Sequence, residues 1–366
     1  MSFKCGIVGL PNVGKSTIFN ALTASQVEAA NYPFCTIEPN TGVVAVPDER
    51  LNVLAKINNS KKIIPVVIEF VDIAGLVKGA SKGEGLGNQF LGHIRTVDAI
   101  IHVVRCFDDS NITHVHGSIS PKRDIEVIEM ELIFADLEQI EKRLDKVSKL
   151  AKGGDKASIA ELSALNIAKT SLEKGIPVRL NSEFTPEQTQ IQLLTSKPIL
   201  YLANVTEEDA ALDSKIANHK YISELYAAAQ SQKCEVLVLS GKVEAEVAQL
   251  PLDERKEFLD ALGLKNSGLD RLASSGLNLL NLITFFATGD KETHAWNCVR
   301  GSKAPHAAGR IHTDFEKGFI RAEIISYQDY VASGGEVGAR EKGKTRIEGK
   351  DYVMQDGDIV HFRFNV

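Results

Sequence analysis

The sequence has few cysteines and lacks any long apolar run. Its five cysteines among 366 residues are widely scattered, without the paired spacing of a zinc site or a disulfide framework, so we expect reduced thiols. No segment approaches the roughly 18 apolar residues of a membrane span. No basic signal-type segment precedes the apolar run that begins at Cys5. These absences favour a cytoplasmic protein.

Basic residues are fewer than acidic ones. The chain has 42 Lys and Arg against 48 Asp and Glu, which gives a net charge of −6. This balance argues against a generally basic body that binds DNA, and it leaves room for a local basic surface. No membrane partner is expected. With 43% apolar residues, the chain is long enough for two or three domains with their own cores.

Residues 9–16 read GLPNVGKS between a short apolar run and a segment of helical character. Two glycines separated by four residues and followed by Lys and Ser form a phosphate-binding pattern, for which the alternative is an ordinary Gly-rich turn. Lys15 is expected to reach the β and γ phosphates, and Ser16 to give its hydroxyl to Mg²⁺. Nucleotide contacts are predicted for the loop and the helix start: Asn12, Val13, Gly14, Lys15, Ser16 and Thr17.

A second apolar run ends at Asp72, about 57 residues after Lys15, and continues as Asp-Ile-Ala-Gly. Asp72 is predicted to hold Mg²⁺ through a water, while the N–H of Gly75 senses the γ-phosphate. Between the two motifs, the proline-punctuated residues 31–39 are predicted to be a switch loop. Thr36 is its candidate Mg²⁺ ligand, and the alternative is a plain surface threonine.

Leu76 follows Gly75 at the position where Ras-like hydrolases carry a glutamine that orients the attacking water. A leucine cannot hold water. Hydrolysis is therefore expected to be slow, or to be assisted by a histidine, a partner protein or a monovalent cation. Asn12 is placed to bind such a cation, and its alternative role is that of a turn-forming residue.

The base-binding segment is predicted at residues 204–207, NVTE, after the apolar run 198–203. Guanine-specific proteins read Asn-Lys-x-Asp here, whereas this chain has Val205 and the longer Glu207. The amide of Asn204 can match the N6 donor and N7 acceptor of adenine. ATP is therefore favoured over GTP. The run 234–239 ends at Ser240, where backbone contacts to the base are expected.

Apolar residues recur at helical spacing over 125–151 and again over 159–172, separated by a Gly-Gly pair. This pattern predicts an antiparallel helical hairpin inserted in the nucleotide domain. Its tip is basic, and it either contacts RNA phosphates or is a solvated helix face. The basic residues of this region are Lys142, Arg143, Lys146, Lys149, Lys152 and Lys156.

Beyond residue 281, short alternating apolar runs separated by glycines predict a strand-rich module of about 85 residues. No acid–base pair or nucleophile arrangement is evident in it. We therefore interpret it as a docking module. Trp296 and His312 are expected to be structural.

The motifs at residues 9–16, 31–36, 72–76 and 204–207 together resemble the YchF/Obg-like ATPase family. Residues 312–321 and 356–362 are similar to the TGS domain of that family, so the resemblance spans the chain. It implies an α/β P-loop NTPase with a Ras-like G domain (1–122 and 196–280). It further implies a coiled-coil insertion (123–195) and a C-terminal β-grasp TGS domain (281–366).

The resemblance also implies a function. It is that of a ribosome-associated, Mg²⁺-dependent ATPase switch that is stimulated by K⁺, with Asn12 as the cation ligand. The histidine that substitutes for the missing glutamine maps to His114, and neighbouring His116 is its rival. Catalytic roles thus fall on Lys15, Gly75 and His114. Two alternatives stay open: a translation-linked GTPase, and an RNA or ribosome adaptor that binds nucleotide without useful turnover.

Overall fold

The structure is a computed structural model that describes residues 3–24, 40–73, 86–212 and 218–365. Three residues singled out above, Thr36, Gly75 and Leu76, lie outside the described residues. Within the described part of the chain, no helix is both long and apolar enough to cross a membrane.

The first sheet has six strands in the order β2-β4-β1-β5-β6-β7, all parallel except β2. Its central strands are buried on both faces, which explains why they are continuous apolar runs instead of alternating ones. The strands and the helices around them are β1 (Lys4–Gly9), α1 (Lys15–Ala24), β2 (Thr41–Ala45), α2 (Glu49–Asn58), β4 (Val67–Asp72), α3 (Leu86–Arg95), β5 (Ala99–Arg105), β6 (Ile199–Asn204), α6 (Lys220–Ser231), β7 (Glu235–Leu239), α7 (Gly241–Val247), α8 (Leu252–Ala261) and α9 (Gly268–Leu279).

A helical hairpin, hereafter the arm, leaves this sheet after β5. It consists of α4 (Pro121–Lys152) and α5 (Lys156–Glu173), which confirms the predicted pair of helices. Helix α4 begins before the apolar periodicity does, because Pro121 occupies its first turn, where a missing N–H costs nothing. At 32 residues, α4 is about 48 Å long.

The two ends of α4 pack against different cores. Ile125, Ile128 and Leu132 belong to the core of the nucleotide domain. Farther along, Ile140 and Val147 pack with α5 in a separate cluster. The arm is therefore rooted in the domain at one end only.

Two of the six basic residues predicted at the tip have ion-pair partners on the arm: Lys142 contacts Glu138 one turn earlier at the surface, and Arg143 is paired more tightly. Arg143 forms a two-pronged ion pair with Glu161 of α5, with Nε–Oε1 and Nη2–Oε2 distances of 2.8 Å. Its Nη2 also donates to Gln190 at 2.6 Å. The guanidinium thus joins α4 to α5 and to the segment that follows the hairpin. This corrects the prediction that Arg143 belongs to the basic surface of the tip.

The C-terminal sheet has the order β11-β10-β12-β8-β9, and a sixth strand pairs with β9 at its edge. Helix α10 packs on one face and buries small alanines against the aromatic core. The elements are β8 (Leu282–Thr288), β9 (Glu292–Val299), α10 (Ala304–Ile311), α11 (Thr313–Lys317), β10 (Phe319–Ser326), α12 (Tyr327–Ser333), α13 (Glu336–Glu341), β11 (Arg346–Glu348) and β12 (Asp358–Phe364).

The sixth strand of this sheet comes from the nucleotide domain, which the sequence did not predict. Strand β3 (Lys62–Ile64) pairs in parallel with β9. Nearby, Arg50 of α2 binds Asp48 and Asp356 at 2.7 Å each and lies over the ring of Phe286. Strand pairing and a charged clamp thus join the C-terminal module to the nucleotide domain.

The side chains expected to be structural have structural contacts. Trp296 stacks on His294, with ring centroids 3.9 Å apart. The Nδ1 of His312 accepts from the Asp314 N–H at 3.2 Å and caps α11. Four cysteines of the described chain are free thiols, as expected, and burial raises the pKa of each: Cys5, Cys106, Cys234 and Cys298.

His102 of β5 makes stability depend on pH. It is 3% exposed, and burial, aided by the positive charge of Arg179, lowers its pKa to about 3. Below about pH 6.5 the unfolded chain therefore takes up a proton that the folded chain refuses, so acid lowers the free energy of unfolding. Between pH 6.5 and 5.0, urea titrations should show a loss about 1.5 kcal/mol larger in the wild type than in His102→Asn.

His93 supplies the control, because it is exposed on α3. His93→Gln should keep the wild-type loss of stability over the same pH range. An equal loss in His102→Asn and the wild type would contradict the assignment.

Candidate nucleotide site

A cavity of about 1440 Å³ lies at the carboxyl ends of β1, β5 and β6. Ligands of open parallel sheets bind at this edge. Eight of the predicted site residues line it: Asn12, Gly14, Lys15, Ser16, Thr17, Asn204, Val205 and Ser240. Val13 is buried, and its carbonyl faces Asn204.

The loop between β1 and α1 has the backbone shape that phosphate binding requires. Asn12 and Gly14 adopt positive φ angles of 62° and 93°. Helix α1 begins at Lys15 without an acidic side chain in its first turn, so none of its own carboxylates competes for the N–H groups and partial positive charge of the helix start. Ser16 and Thr17 are exposed at this end.

Lys15 and Asp72 meet in an ion pair between α1 and the end of β4, with side chains 11% and 24% exposed. The pair brings the two motifs together, as the sequence predicted. The Asp72 carboxylate and the hydroxyl of Ser16, the residue after Lys15, are hard oxygen donors of the kind that Mg²⁺ uses together with substrate phosphates. The residues present therefore fit a magnesium–nucleotide complex, in which Lys15 would exchange Asp72 for phosphate.

Asn204 has a role that the sequence did not predict. Its Nδ2 donates to the Val13 carbonyl at 2.9 Å, and its Oδ1 accepts from the Gly241 N–H at 2.9 Å. The amide, 4% exposed, thus braces the phosphate loop against the start of α7. This corrects the predicted pairing with adenine, because the amide does not present an unused donor and acceptor together.

Gly14 is required by this brace as well as by its backbone angle. A Cβ at Gly14 would lie 2.0 Å from the Nδ2 of Asn204. Its φ of 93° is also strained for any residue with a side chain. The glycine of the sequence pattern thus leaves room for a side chain 190 positions away.

The rest of the base segment is held by its neighbours. Glu207 accepts from the Lys242 ammonium at 3.0 Å, and both side chains are at the surface. Val205 is buried beside Asn204, and its N–H donates to the Leu239 carbonyl at 3.0 Å. Ser240 caps α7 through the Val243 N–H.

Arg105, at the end of β5, shapes the opposite wall, and sequence reasoning missed it. It is 1% exposed, and its guanidinium donates to the carbonyls of Phe107, Asp109 and Ile112 at 2.8–3.1 Å. These three acceptors fold residues 107–112 around the guanidinium, and several of them line the cavity. The sequence did carry one signal for this role, because an arginine at the end of an otherwise apolar strand needs polar partners nearby.

His114 does not line the cavity. It is 6% exposed; its Nε2 lies 2.9 Å from the Oδ2 of Asp124, and its Nδ1 accepts from the His116 N–H at 3.2 Å. The predicted catalytic histidine is therefore bonded to Asp124 and takes no part in the cavity wall. Its rival His116 is exposed and lies outside the cavity lining too.

Asn12 links the phosphate loop to the His114 segment. Its Nδ2 donates to the Thr113 carbonyl at 3.1 Å. The side-chain oxygen, the atom a cation would use, has no partner among the residues described here. The amide can therefore hold the loop with one atom and offer the other to the cavity.

Two family models match the chain. Residues 4–144 match the family described as 50S ribosome-binding GTPase. Residues 282–365 match YchF-GTPase_C, described as a protein of unknown function (DUF933).

Close relatives match over the whole length. The chain is 55% identical to the ribosome-binding ATPase YchF of Bacillus subtilis (strain 168) and 52% identical to that of Escherichia coli O157:H7, with complete coverage on both sides. Among solved structures, the Schizosaccharomyces pombe YchF GTPase matches with a TM-score of 0.87 at 39% identity. That match covers 99% of this chain and 98% of the other.

Removing the brace should damage the site as a whole. Asn204→Ala leaves the Val13 carbonyl and the Gly241 N–H buried without a partner, so the free energy of unfolding should fall by about 3 kcal/mol. Binding of ATP and GTP should weaken together, measured by calorimetric titration. Asn111→Ala, an exposed change in the cavity wall segment, should alter neither quantity. Unchanged nucleotide affinity in Asn204→Ala would contradict the brace.

Proposed function

Because the chain belongs to the YchF family, we propose that it is a ribosome-associated, Mg²⁺-dependent ATPase that acts as a nucleotide switch. The contact between Lys15 and Asp72 beside the free start of α1 carries this proposal. It joins a cation for the phosphates, on Lys15 in the cavity lining, to a carboxylate for the metal, close to the N–H donors of the helix start. Catalysis would then consist mainly of positioning and charge stabilisation.

ATP is the proposed nucleotide. Val205 replaces the lysine of the guanine motif, and the Glu207 carboxylate is already bonded to Lys242. Both features support adenine over guanine. The remaining N–H of Asn204 can donate to N7, which every purine has, so selectivity is assigned to the flanking residues. The names of the relatives differ, with ATPase for the two bacterial proteins and GTPase for the Schizosaccharomyces pombe protein.

For hydrolysis, we retain the proposed roles of Gly75 as the γ-phosphate sensor and Thr36 as the second metal ligand. His114 would orient the attacking water that Leu76 cannot hold. The free oxygen of Asn12 supports a K⁺ ion beside the phosphates. Such an ion would neutralise developing charge without a proton transfer.

Ribosome association is proposed from the names of the bacterial relatives and from the charge on the arm. We propose that the chain is divided into a nucleotide domain (1–122 and 196–280), an arm (123–195) and a C-terminal docking domain (281–366). Four exposed lysines at the arm tip have no ion-pair partner within the described ranges, which supports contact with RNA phosphates. They are Lys146, Lys149, Lys152 and Lys156.

Nucleotide selectivity tests the proposed function directly. At matched Mg²⁺ and K⁺, ATP should bind about tenfold more tightly than GTP in competition titrations. Glu207→Asp together with Val205→Lys should move the preference toward GTP, because it restores the guanine-reading pattern. Glu208→Asp, at an exposed neighbour, should leave it unchanged.

Tighter GTP binding in the wild type would favour the translation-linked GTPase. Turnover separates the remaining alternative, since an adaptor would hold ATP without hydrolysing it. In the proposed ATPase, K⁺ should accelerate single-turnover hydrolysis relative to Na⁺, and Asn12→Ala should lose that difference.

Charge reversal at the tip tests the arm. Ribosome binding of Lys146→Glu/Lys149→Glu/Lys152→Glu should be weaker in sedimentation assays, because three phosphate contacts are lost. The slope of log affinity against log salt should fall by about two.

The control carries the same charge change away from the tip, at three exposed lysines: Lys174→Glu/Lys233→Glu/Lys256→Glu. It should bind ribosomes with the wild-type salt slope. An unchanged slope in the tip variant would exclude the tip as the contact.

A further inference from the structure

The first turn of α4 contains a buried carboxylate that the proposed mechanism does not use. Asp124 is 1% exposed, although it lies only four residues into a helix whose other end carries the lysine tip. A buried carboxylate needs partners to be stable. Its principal partner is His114, across a 2.9 Å contact between Oδ2 and Nε2.

The contact defines the state of the imidazole. Because Nδ1 accepts from the His116 N–H, the ring proton of neutral His114 lies on Nε2 and is donated to Asp124. Both nitrogens are therefore engaged, and the side chain is buried and absent from the cavity lining. A histidine in this state cannot orient a water in the cavity.

Release of His114 does not leave Asp124 without a partner. The other carboxylate oxygen, Oδ1, lies 3.3 Å from the Arg123 guanidinium, which also donates to the Ser118 hydroxyl at 3.1 Å. The carboxylate therefore keeps a positive neighbour when the imidazole leaves. The contact between His114 and Asp124, hereafter the latch, can therefore open without leaving a buried carboxylate unpaired.

We propose that Asp124 is a positioning residue that holds His114 out of the nucleotide cavity, and that movement of the arm at its base releases the histidine. This inference rests on the proposed catalytic role of His114. Asp124 touches no reacting atom; it acts only through the imidazole.

The construction of α4 supports the coupling to the arm. Its first residues are fixed by Glu224 of α6, whose Oε1 accepts from the Ser120 hydroxyl at 2.7 Å and from the Lys122 N–H at 3.1 Å. A continuous helix then runs about 42 Å from Asp124 to Lys152. A partner that tilts the tip therefore acts on the turn that holds His114. By linkage, release of His114 must also change the affinity of the tip for its partner.

The test is hydrolysis without ribosomes. Asp124→Asn keeps the shape of the side chain but weakens the bond to His114. It should raise the basal kcat about tenfold with KM for ATP unchanged, because one charge-assisted hydrogen bond is lost. Ribosomes should then stimulate the variant less than the wild type.

Glu126→Gln is the matched control, because it removes an exposed carboxylate from the same part of α4 without touching His114. It should leave kcat unchanged. In His114→Ala/Asp124→Asn the gain should vanish. A kcat of Asp124→Asn at or below the wild-type value, or a gain that persists without His114, overturns the latch.

A second measurement uses the unmodified protein and does not depend on a variant that folds. Diethyl pyrocarbonate modification, followed by mass spectrometry, should be slow at buried His114 and fast at exposed His116. Ribosomes with a non-hydrolysable ATP analogue should raise only the His114 rate. Equal rates in the free protein, or unchanged protection on ribosomes, would overturn the proposal.

The two proposals fail differently. If His114→Ala alone hydrolyses ATP at the wild-type rate, the catalytic role of His114 is wrong, and the latch fails with it. If His114→Ala is inactive but Asp124→Asn matches Glu126→Gln, only the latch is wrong.

Discussion

One buried amide sets the dimensions of the nucleotide site. Strand β5 lies between β1 and β6, so the phosphate loop and the base segment begin on strands that are not neighbours. Asn204 joins them with hydrogen bonds to Val13 and Gly241. The distance between the loop proposed to hold phosphate and the segment proposed to hold the base is therefore set by two hydrogen bonds from one buried side chain. A preformed span of this kind lowers the ordering cost of binding.

Local patterns predicted most of the framework. The P-loop, the Asp72 strand and the arm depend on spacing over a few residues, and the structure has them where the pattern requires. The misassigned contacts depend on tertiary packing. The bond from Asn204 to Val13 joins residues 191 positions apart. The contact of His114 with Asp124 depends on how the segment before α4 folds back on its first turn, and the Arg143–Glu161 pair depends on the packing of α4 against α5. Sequence spacing carries no signal for such partners.

Arginine and lysine have different roles in the arm. Arg143 has a planar fork that fits a carboxylate, and it forms an internal two-pronged pair. The lysines, whose ammonium groups are compact and strongly hydrated, remain in water toward the tip. Stiffness and surface charge are thus supplied by different residue types along one helix. Because α4 is continuous from its first turn to the tip, a displacement of the tip would be carried to the base of the arm.

Because of strand β3, the C-terminal sheet is not formed by one continuous stretch of the chain. Chain order separates residues 62–64 from the C-terminal sheet by more than 200 positions, yet they form its edge beside β9. A fragment that starts at Leu282 would expose that edge as a row of unpaired N–H and C=O groups, which invites pairing with other chains. During synthesis, β3 leaves the ribosome long before its partner strand exists. The nascent nucleotide domain must therefore keep this short segment unpaired, and its exposed Lys62 helps to keep it soluble in the meantime.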